Sequence, residues 1–364
     1  MPQTRPDHKV LFTPGPTEVA PEVLREMSRP VIGHRGEEMQ ALIRDLVPRV
    51  RTLFGTRAHD IFLTACSATG LWEAAIRNCV TRRVLVPICG SFSERFYEVA
   101  LACGVEADPL HVEWGRAVPA QSIADVLASG RYDAVALVHN ETATGVTNPL
   151  AEIAEAVRRQ ENVLLLVDAV SSLGGLPVEV DRHGIDVCLA SVQKCLALPP
   201  GFSLCAVSER AMQRSAQRVG KGYYFDFVRL KGFFDRNVPL ATPSVSHMFA
   251  LQSQLKRIEK EGFEARYARH RAMAEVVRGW AGDRFALFAA EGARSDTITC
   301  VRNTRGMNVA AFLTALAARG FGVSNGYGKL KEATFRVGHM GDHTVDGVKE
   351  LLRVMDETLK GMAA

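Results

Sequence analysis

Lys194, in Ser191-Val192-Gln193-Lys194-Cys195, follows the apolar run 185–190, and Asp168 closes an earlier apolar run, 162–167. A lysine set beside Leu196-Ala197-Leu198-Pro199-Pro200 is partly desolvated. Desolvation lowers its pKa and leaves a neutral amine able to attack a carbonyl. A carboxylate at the end of a buried strand is costly unless paired, and a protonated ring nitrogen is one such partner. A salt-bridged Asp and a snorkelling Lys would leave the same letters, so the pair needs company.

Further segments supply it. Ser67-Ala68-Thr69-Gly70 joins a strand to a helix, and small residues there let backbone N–H groups approach an anion at the helix N-terminus, with two hydroxyls beside it. An ordinary Ser/Thr N-cap reads the same way. Phe92, just past another apolar run, is placed to stack on a flat ring or to fill the core. Thr142, in His139-Asn140-Glu141-Thr142-Ala143-Thr144-Gly145, can hydrogen-bond a ring oxygen, or simply mark a polar strand-to-loop transition. Arg336, in Phe335-Arg336-Val337-Gly338, offers a planar fork for a carboxylate, or an edge-strand ion pair. His339, Asp342 and His343 form an H-x-x-D-H that is too common a spacing to carry a metal reading. Taken together, the segments give an aldehyde-binding lysine, a ring acid, an anion cup, a stacking ring and a carboxylate clamp. That set suits pyridoxal 5′-phosphate (PLP).

The elements that must hold these residues are legible as an alternation. Short β-branched runs fall at 60–64, 83–87, 134–139, 163–167, 187–190 and 203–207. Helical patterns follow at 68–80, 93–103, 121–129, 150–160 and 208–216. Such alternation predicts an α/β fold, a mainly parallel sheet sandwiched by helices, with ligands beyond the carboxyl ends of the strands. All the candidates but the arginine fall on that rim. The Pro-rich start cannot form regular helix, whereas 37–54 reads as a long amphipathic one after a break at 33–36. Residues 220–245 read as aromatic-rich loop, and 244–279 as a long helix broken at Gly262. The remainder predicts a smaller α+β domain, with strands near 284–288, 296–302 and 333–337 and helices at 308–319 and 344–361. The junction is expected within the long helix, near 255–265.

The chain has 364 residues, long enough for two domains, with 47% hydrophobic and 23% charged residues. Its 44 basic and 40 acidic residues leave a charge of only +4, which argues against nucleic acid as a partner. No apolar stretch approaches the roughly 20 residues that span a bilayer. The segment Met1–His8 has no signal-peptide core, and the C-terminus carries no targeting or lipid signal. Eight scattered cysteines, none in a C-x-x-C pair, predict reduced thiols, no zinc site and a cytoplasmic location.

From Phe12-Thr13-Pro14-Gly15-Pro16-Thr17 through Phe335–Asp342 the sequence resembles the class-V aminotransferases of PLP fold type I, nearest to the alanine– and serine–glyoxylate enzymes. The 2-aminoethylphosphonate–pyruvate enzymes are close behind. Gly33-His34-Arg35, Glu141–Gly145, Asp168–Ser172, Gln193-Lys194 and Pro199-Pro200-Gly201 carry the likeness. The resemblance implies a large domain over 14–258, a small C-terminal domain over 259–364 and an N-terminal arm, 1–13, packing near the active site or the small domain. It implies that Lys194 forms the Schiff base and Asp168 holds the pyridinium. Ser67, Ala68, Thr69 and Gln193 surround the phosphate, Phe92 stacks where Trp or Tyr is usual, and Thr142 and Ser171 contact the cofactor. Arg336 and Gly15 receive the substrate carboxylate, and Thr242 reaches the phosphate of the neighbouring subunit of a homodimer, with Tyr224 near that boundary. The implied reaction moves an amino group from a small amino acid, alanine or serine, to a 2-oxo acid, glyoxylate or pyruvate, by a ping-pong route. A desulfurase-like lyase would carry a His before the lysine and a mobile Cys loop. Gln193 and Cys300, in an expected strand, do not match it.

Overall fold

The computed structural model describes residues 8–363. The signal-peptide reading and most of the N-terminal arm therefore fall outside the described residues. The centre is a seven-stranded sheet of β1 (Asp60–Thr64), β2 (Arg83–Ile88), β3 (Glu106–His111), β4 (Ala134–Val138), β5 (Leu164–Asp168), β6 (Val187–Ser191) and β7 (Ser203–Val207), in the order β1-β7-β6-β5-β4-β2-β3. From β6 to β3 all pairings are parallel. β4, β5, β6 and β7 are buried along their whole length, as a sheet covered on both faces requires. Two apolar clusters lie on opposite faces. One gathers Leu137, Leu165, Val167 and Leu204, and the other Val138, Leu164, Leu166 and Cys205, so alternate side chains along each strand serve opposite layers.

The sheet is mainly parallel, as expected, and three details go beyond that pattern. β7 runs antiparallel to both β6 and β1, so the sheet is mixed. The chain from β6 to β7 is too short for a helical crossover and turns straight back through the Lys194 loop. β3 went unread because it is an edge strand, largely exposed and holding Pro109, which an edge tolerates. Within the expected loop 220–245 lies a helix, Phe227–Phe234, capped by Asp226, whose carboxylate accepts from the N–H of Val228 at 2.9 Å.

The predicted break at Gly262 is real. Helices Val245–Glu261 and Phe263–Arg284 meet at Gly262, whose φ of 84° favours glycine. Beyond it lies a four-stranded antiparallel sheet of β8 (Ala286–Leu287), β9 (Ile298–Arg302), β10 (Ser324–Asn325) and β11 (Thr334–Gly338), in the order β8-β9-β11-β10. It packs on a separate core of Phe312, Phe335, Val337, Leu351 and Met355. Val10–Leu11 pairs in parallel with Phe321–Gly322, and the buried Phe12 ring stacks on His343 at 3.9 Å.

Candidate active site

β4, β5 and β6 end at one rim, where Val138 pairs with Asp168 and Asp168 with Leu189. Asp168, 4% exposed, accepts from the Val170 N–H at 2.7 Å and from Trp72 Nε1 at 2.8 Å. Burial nevertheless dominates and raises its pKa to about 6. Trp72 reaches it from helix α1 (Ala68–Cys79) and stacks on Phe96 at 5.1 Å. Sequence reasoning missed Trp72. The only signal was its place one turn beyond Thr69, on the face a ligand at the helix start would share.

Lys194 follows β6 and is 8% exposed, and its amine donates to the Pro14 carbonyl. Burial, and then the charge of Arg336, lower its pKa to about 8. Gly15, at φ 97°, lies so close that a Cβ there would overlap the Lys194 side chain. The N-terminal segment thus runs from the small sheet onto the lysine, and the Thr17 N–H closes the turn on the Gln193 carbonyl at 3.1 Å.

The start of α1 takes no side-chain cap, and Ser67 is exposed there. This loop is tied to the lysine loop. Ser203 Oγ lies 2.9 Å from the Cys66 carbonyl oxygen and 3.1 Å from Ser191 Oγ, and the Ser191 hydroxyl donates to Gln193 Oε1 at 2.5 Å. Ser203 opens β7, the strand whose direction the sequence left unread. Thr142 Oγ1 and Ser171 Oγ are 2.6 Å apart, which brings together the loops after β4 and β5.

Phe92 sits at the start of helix α2 (Ser91–Ala102). Its N–H donates to Glu141 Oε1 at 3.2 Å, and the Ser93 N–H to Glu141 Oε2 at 2.9 Å. Glu141 is fully buried and also accepts from the Ala143 N–H and the Ser93 hydroxyl, each at 3.0 Å. Burial raises its pKa, and those donors pull the other way. Its carboxylate at the positive end of α2 fixes where Phe92 stands.

Arg336 lies on β11 and is 7% exposed. Nε donates to the Asn325 carbonyl at 3.1 Å and Nη1 to the Thr142 carbonyl at 3.2 Å, which joins the small sheet to the Thr142 loop. Its partners within the described residues are carbonyls, with no carboxylate among them, and burial lowers its pKa. Its guanidinium lies 5.4 Å from the Tyr327 ring, which stacks on Phe92 at 5.1 Å.

Two expected residues stand apart from this group. Thr242 is exposed and makes no hydrogen bond among the described residues. Tyr224 is 40% exposed, with its hydroxyl 3.4 Å from the Ala65 carbonyl, beside the cup of its own chain. The H-x-x-D-H side chains are engaged in packing. His339 meets Thr299 at 2.9 Å, Asp342 accepts from Gln254 and Arg266, and His343 lies on the Leu11 carbonyl at 2.9 Å.

The residues fit PLP chemically. An uncapped helix start suits a phosphate, a buried amine of lowered pKa suits an aldehyde, and a buried carboxylate suits a ring N–H. The fold is that of the PLP-dependent transferases of fold type I. The crystal structure of ureidoglycine–glyoxylate aminotransferase from Bacillus subtilis superposes with a TM-score of 0.93 at 28% identity, covering 100% of this chain and 95% of that one. Residues 9–340 match the family model "Aminotransferase class-V", and the chain belongs to that family. An uncharacterised aminotransferase of Methanocaldococcus jannaschii is 39% identical over 357 residues, 95% of this chain and 91% of that protein. The serine–glyoxylate aminotransferase of Methylorubrum extorquens is 32% identical over 363 residues, 93% of this chain and 88% of its own. The chain is therefore an aminotransferase, of a family that works through PLP.

Proposed function

We propose that this aminotransferase binds PLP and moves the amino group of a small amino acid, alanine or serine, to glyoxylate or pyruvate. When bound, PLP supplies an electron sink for the pair left at the substrate Cα once its proton is removed. Lys194 anchors the cofactor aldehyde and, once displaced by the donor, takes the Cα proton on Nζ. A pKa near 8 keeps part of that amine neutral at neutral pH. Asp168 holds the proton of the ring nitrogen, and Trp72 and the Val170 N–H hold Asp168. Arg336 and the backbone at Gly15 orient the α-carboxylate, and Phe92 packs on the ring. Ser67, Ala68, Thr69 and Gln193 hold the phosphate, while Thr142 and Ser171 hold the ring oxygen.

The observation that carries this reading is the buried Lys194 amine, whose pKa is depressed by burial and by Arg336. The glyoxylate-directed relatives support the acceptor. We also propose a homodimer in which Thr242 serves the neighbouring phosphate. The exposed large side chains Val219, Tyr223, Tyr224 and Val228, at 87, 59, 40 and 41%, in the segment before Thr242, support burial against a partner. We propose the domain boundary at 258/259, in the last turn of the helix before Gly262. A cytoplasmic location agrees with eight free thiols among the described residues. No helix among the described residues is long and apolar enough to cross a membrane.

The test is the visible spectrum of the purified, PLP-loaded protein with L-alanine, L-serine and 2-aminoethylphosphonate added separately. Bleaching by alanine or serine, reversed by glyoxylate or pyruvate, is expected. Bleaching by the phosphonate alone, or bleaching that no 2-oxo acid reverses, contradicts the proposal.

A further inference from the structure

Arg95 is a half-buried arginine that the chemistry above leaves without a task. It lies on α2, one turn beyond Phe92, and among the described residues it has no carboxylate partner. Arg83, Arg278 and Arg284, also half-buried, sit on Asp108 at 2.8 Å, Asp296 at 2.7 Å and Asp356 at 2.6 Å, whereas Arg51, Arg218 and Arg294 meet backbone carbonyls and Arg95 meets neither. The polar contact of Arg95 is to the Tyr327 hydroxyl, at 2.5 Å. Its guanidinium lies 5.4 Å from the Phe92 ring and 5.7 Å from the Tyr327 ring. Arg336 lies 5.4 Å from that same Tyr327 ring. Two guanidinium groups therefore share one phenol, and neither meets a carboxylate of this chain among the described residues.

A half-buried guanidinium without a carboxylate keeps donors to spare, and a ligand carrying two anionic groups can engage one on each arginine. The phenol that sets their spacing is itself fixed. Asn325 Oδ1 accepts from the N–H groups of Gly326 at 2.8 Å and Glu332 at 2.9 Å, which closes the loop. Gly328, at φ 57°, passes so near α2 that a Cβ would meet Ser91 Oγ at 2.7 Å. Of the two lysines in the loop, Lys329 has its ammonium 3.5 Å from the Trp114 ring and Lys331 is exposed.

We infer that Arg95, positioned by Tyr327, forms a second anion subsite beside Arg336 and reads the side-chain anion of a dicarboxylic or phosphorylated amino acid, or of the matching 2-oxo acid. The inference rests on the proposed role of Arg336 as the α-carboxylate clamp. Small neutral donors use that clamp alone. A substrate with an anionic side chain gains a second charge-assisted contact, so the pocket serves both kinds of amino acid.

The experiment is titration calorimetry of the PLP-loaded protein with three unreactive probes: propionate, succinate and 3-phosphonopropionate. The wild type is expected to bind at least one doubly anionic probe about tenfold more tightly than propionate, the scale of one charge-assisted contact. Preference for succinate assigns a carboxylate side chain, and preference for the phosphonate a phosphoryl one. Arg95→Ala should abolish the preference and leave propionate within about twofold, Arg95→Lys should restore part of it, and Lys329→Ala should keep it. A wild type without preference, an Arg95→Ala variant that weakens all three probes alike or keeps the preference, or a Lys329→Ala variant that loses as much, overturns the subsite. Arg336→Ala separates the two claims. If it spares propionate binding, the clamp assignment fails, whatever the Arg95 variants show.

Discussion

Asp168 and Lys194 are pushed toward neutrality by the same cause, burial in a low-dielectric rim, from opposite sides of neutral pH. For Asp168 this fixes a sign. Its folded pKa of about 6 lies above the ordinary value of 3.8, so the folded apoprotein holds a proton that the unfolded chain has already released. The stability it contributes is full below about 3.8 and is lost as pH rises to about 6. The loss is on the order of 2–3 kcal/mol for a shift of this size. Urea unfolding of cofactor-free protein between pH 4 and 7 should show that decline, and Asp168→Asn should flatten it; equal slopes would contradict the burial argument. At this scale Lys194, Asp168 and Arg336 were legible because ionisable groups stood among apolar residues. Trp72 and Glu141 were not, because a Trp on a helix and a Glu at a strand end read equally well as core and cap. Tyr327 gave no signal, since its importance comes from Phe92 and Arg336, distant in sequence.

Among the elements, Glu141 shows how one carboxylate can position a helix it does not belong to. Its oxygens take the N–H groups of Phe92, Ser93 and Ala143. Glu141→Ala leaves these buried donors without partners, which costs about 1–3 kcal/mol, and it frees the start of α2. Thermal melting should show a lower midpoint, and PLP titration a weaker affinity, as Phe92 loses its fixed place. A variant with unchanged melting and affinity would show that α2 is held by packing alone. The βα alternation, the break at Gly262 and most of the helices followed from pattern, because periodicity records which side chains are buried. Strand direction leaves no such mark. β7 is as apolar as its parallel neighbours and runs the other way, and only the short chain between β6 and β7 could have told. The edge strand β3 was hidden by its own exposure.

For the whole molecule, the exposed Thr242 and the exposed side chains of Tyr223 and Val228 predict an assembly. Sedimentation equilibrium should return twice the mass of one chain, and Thr242→Ala should weaken PLP binding about tenfold without changing that mass. A monomer with full PLP affinity would show that each cup is complete within its own chain. The remaining site residues surround the Lys194 amine, buried in the loop after β6 against Pro14. Borohydride reduction of the PLP-loaded protein, followed by peptide mapping, tests its role most directly. One pyridoxyl group is expected, on the peptide containing Lys194, and none in the Lys194→Ala variant. A label on another lysine, or an active Lys194→Ala enzyme, would contradict it.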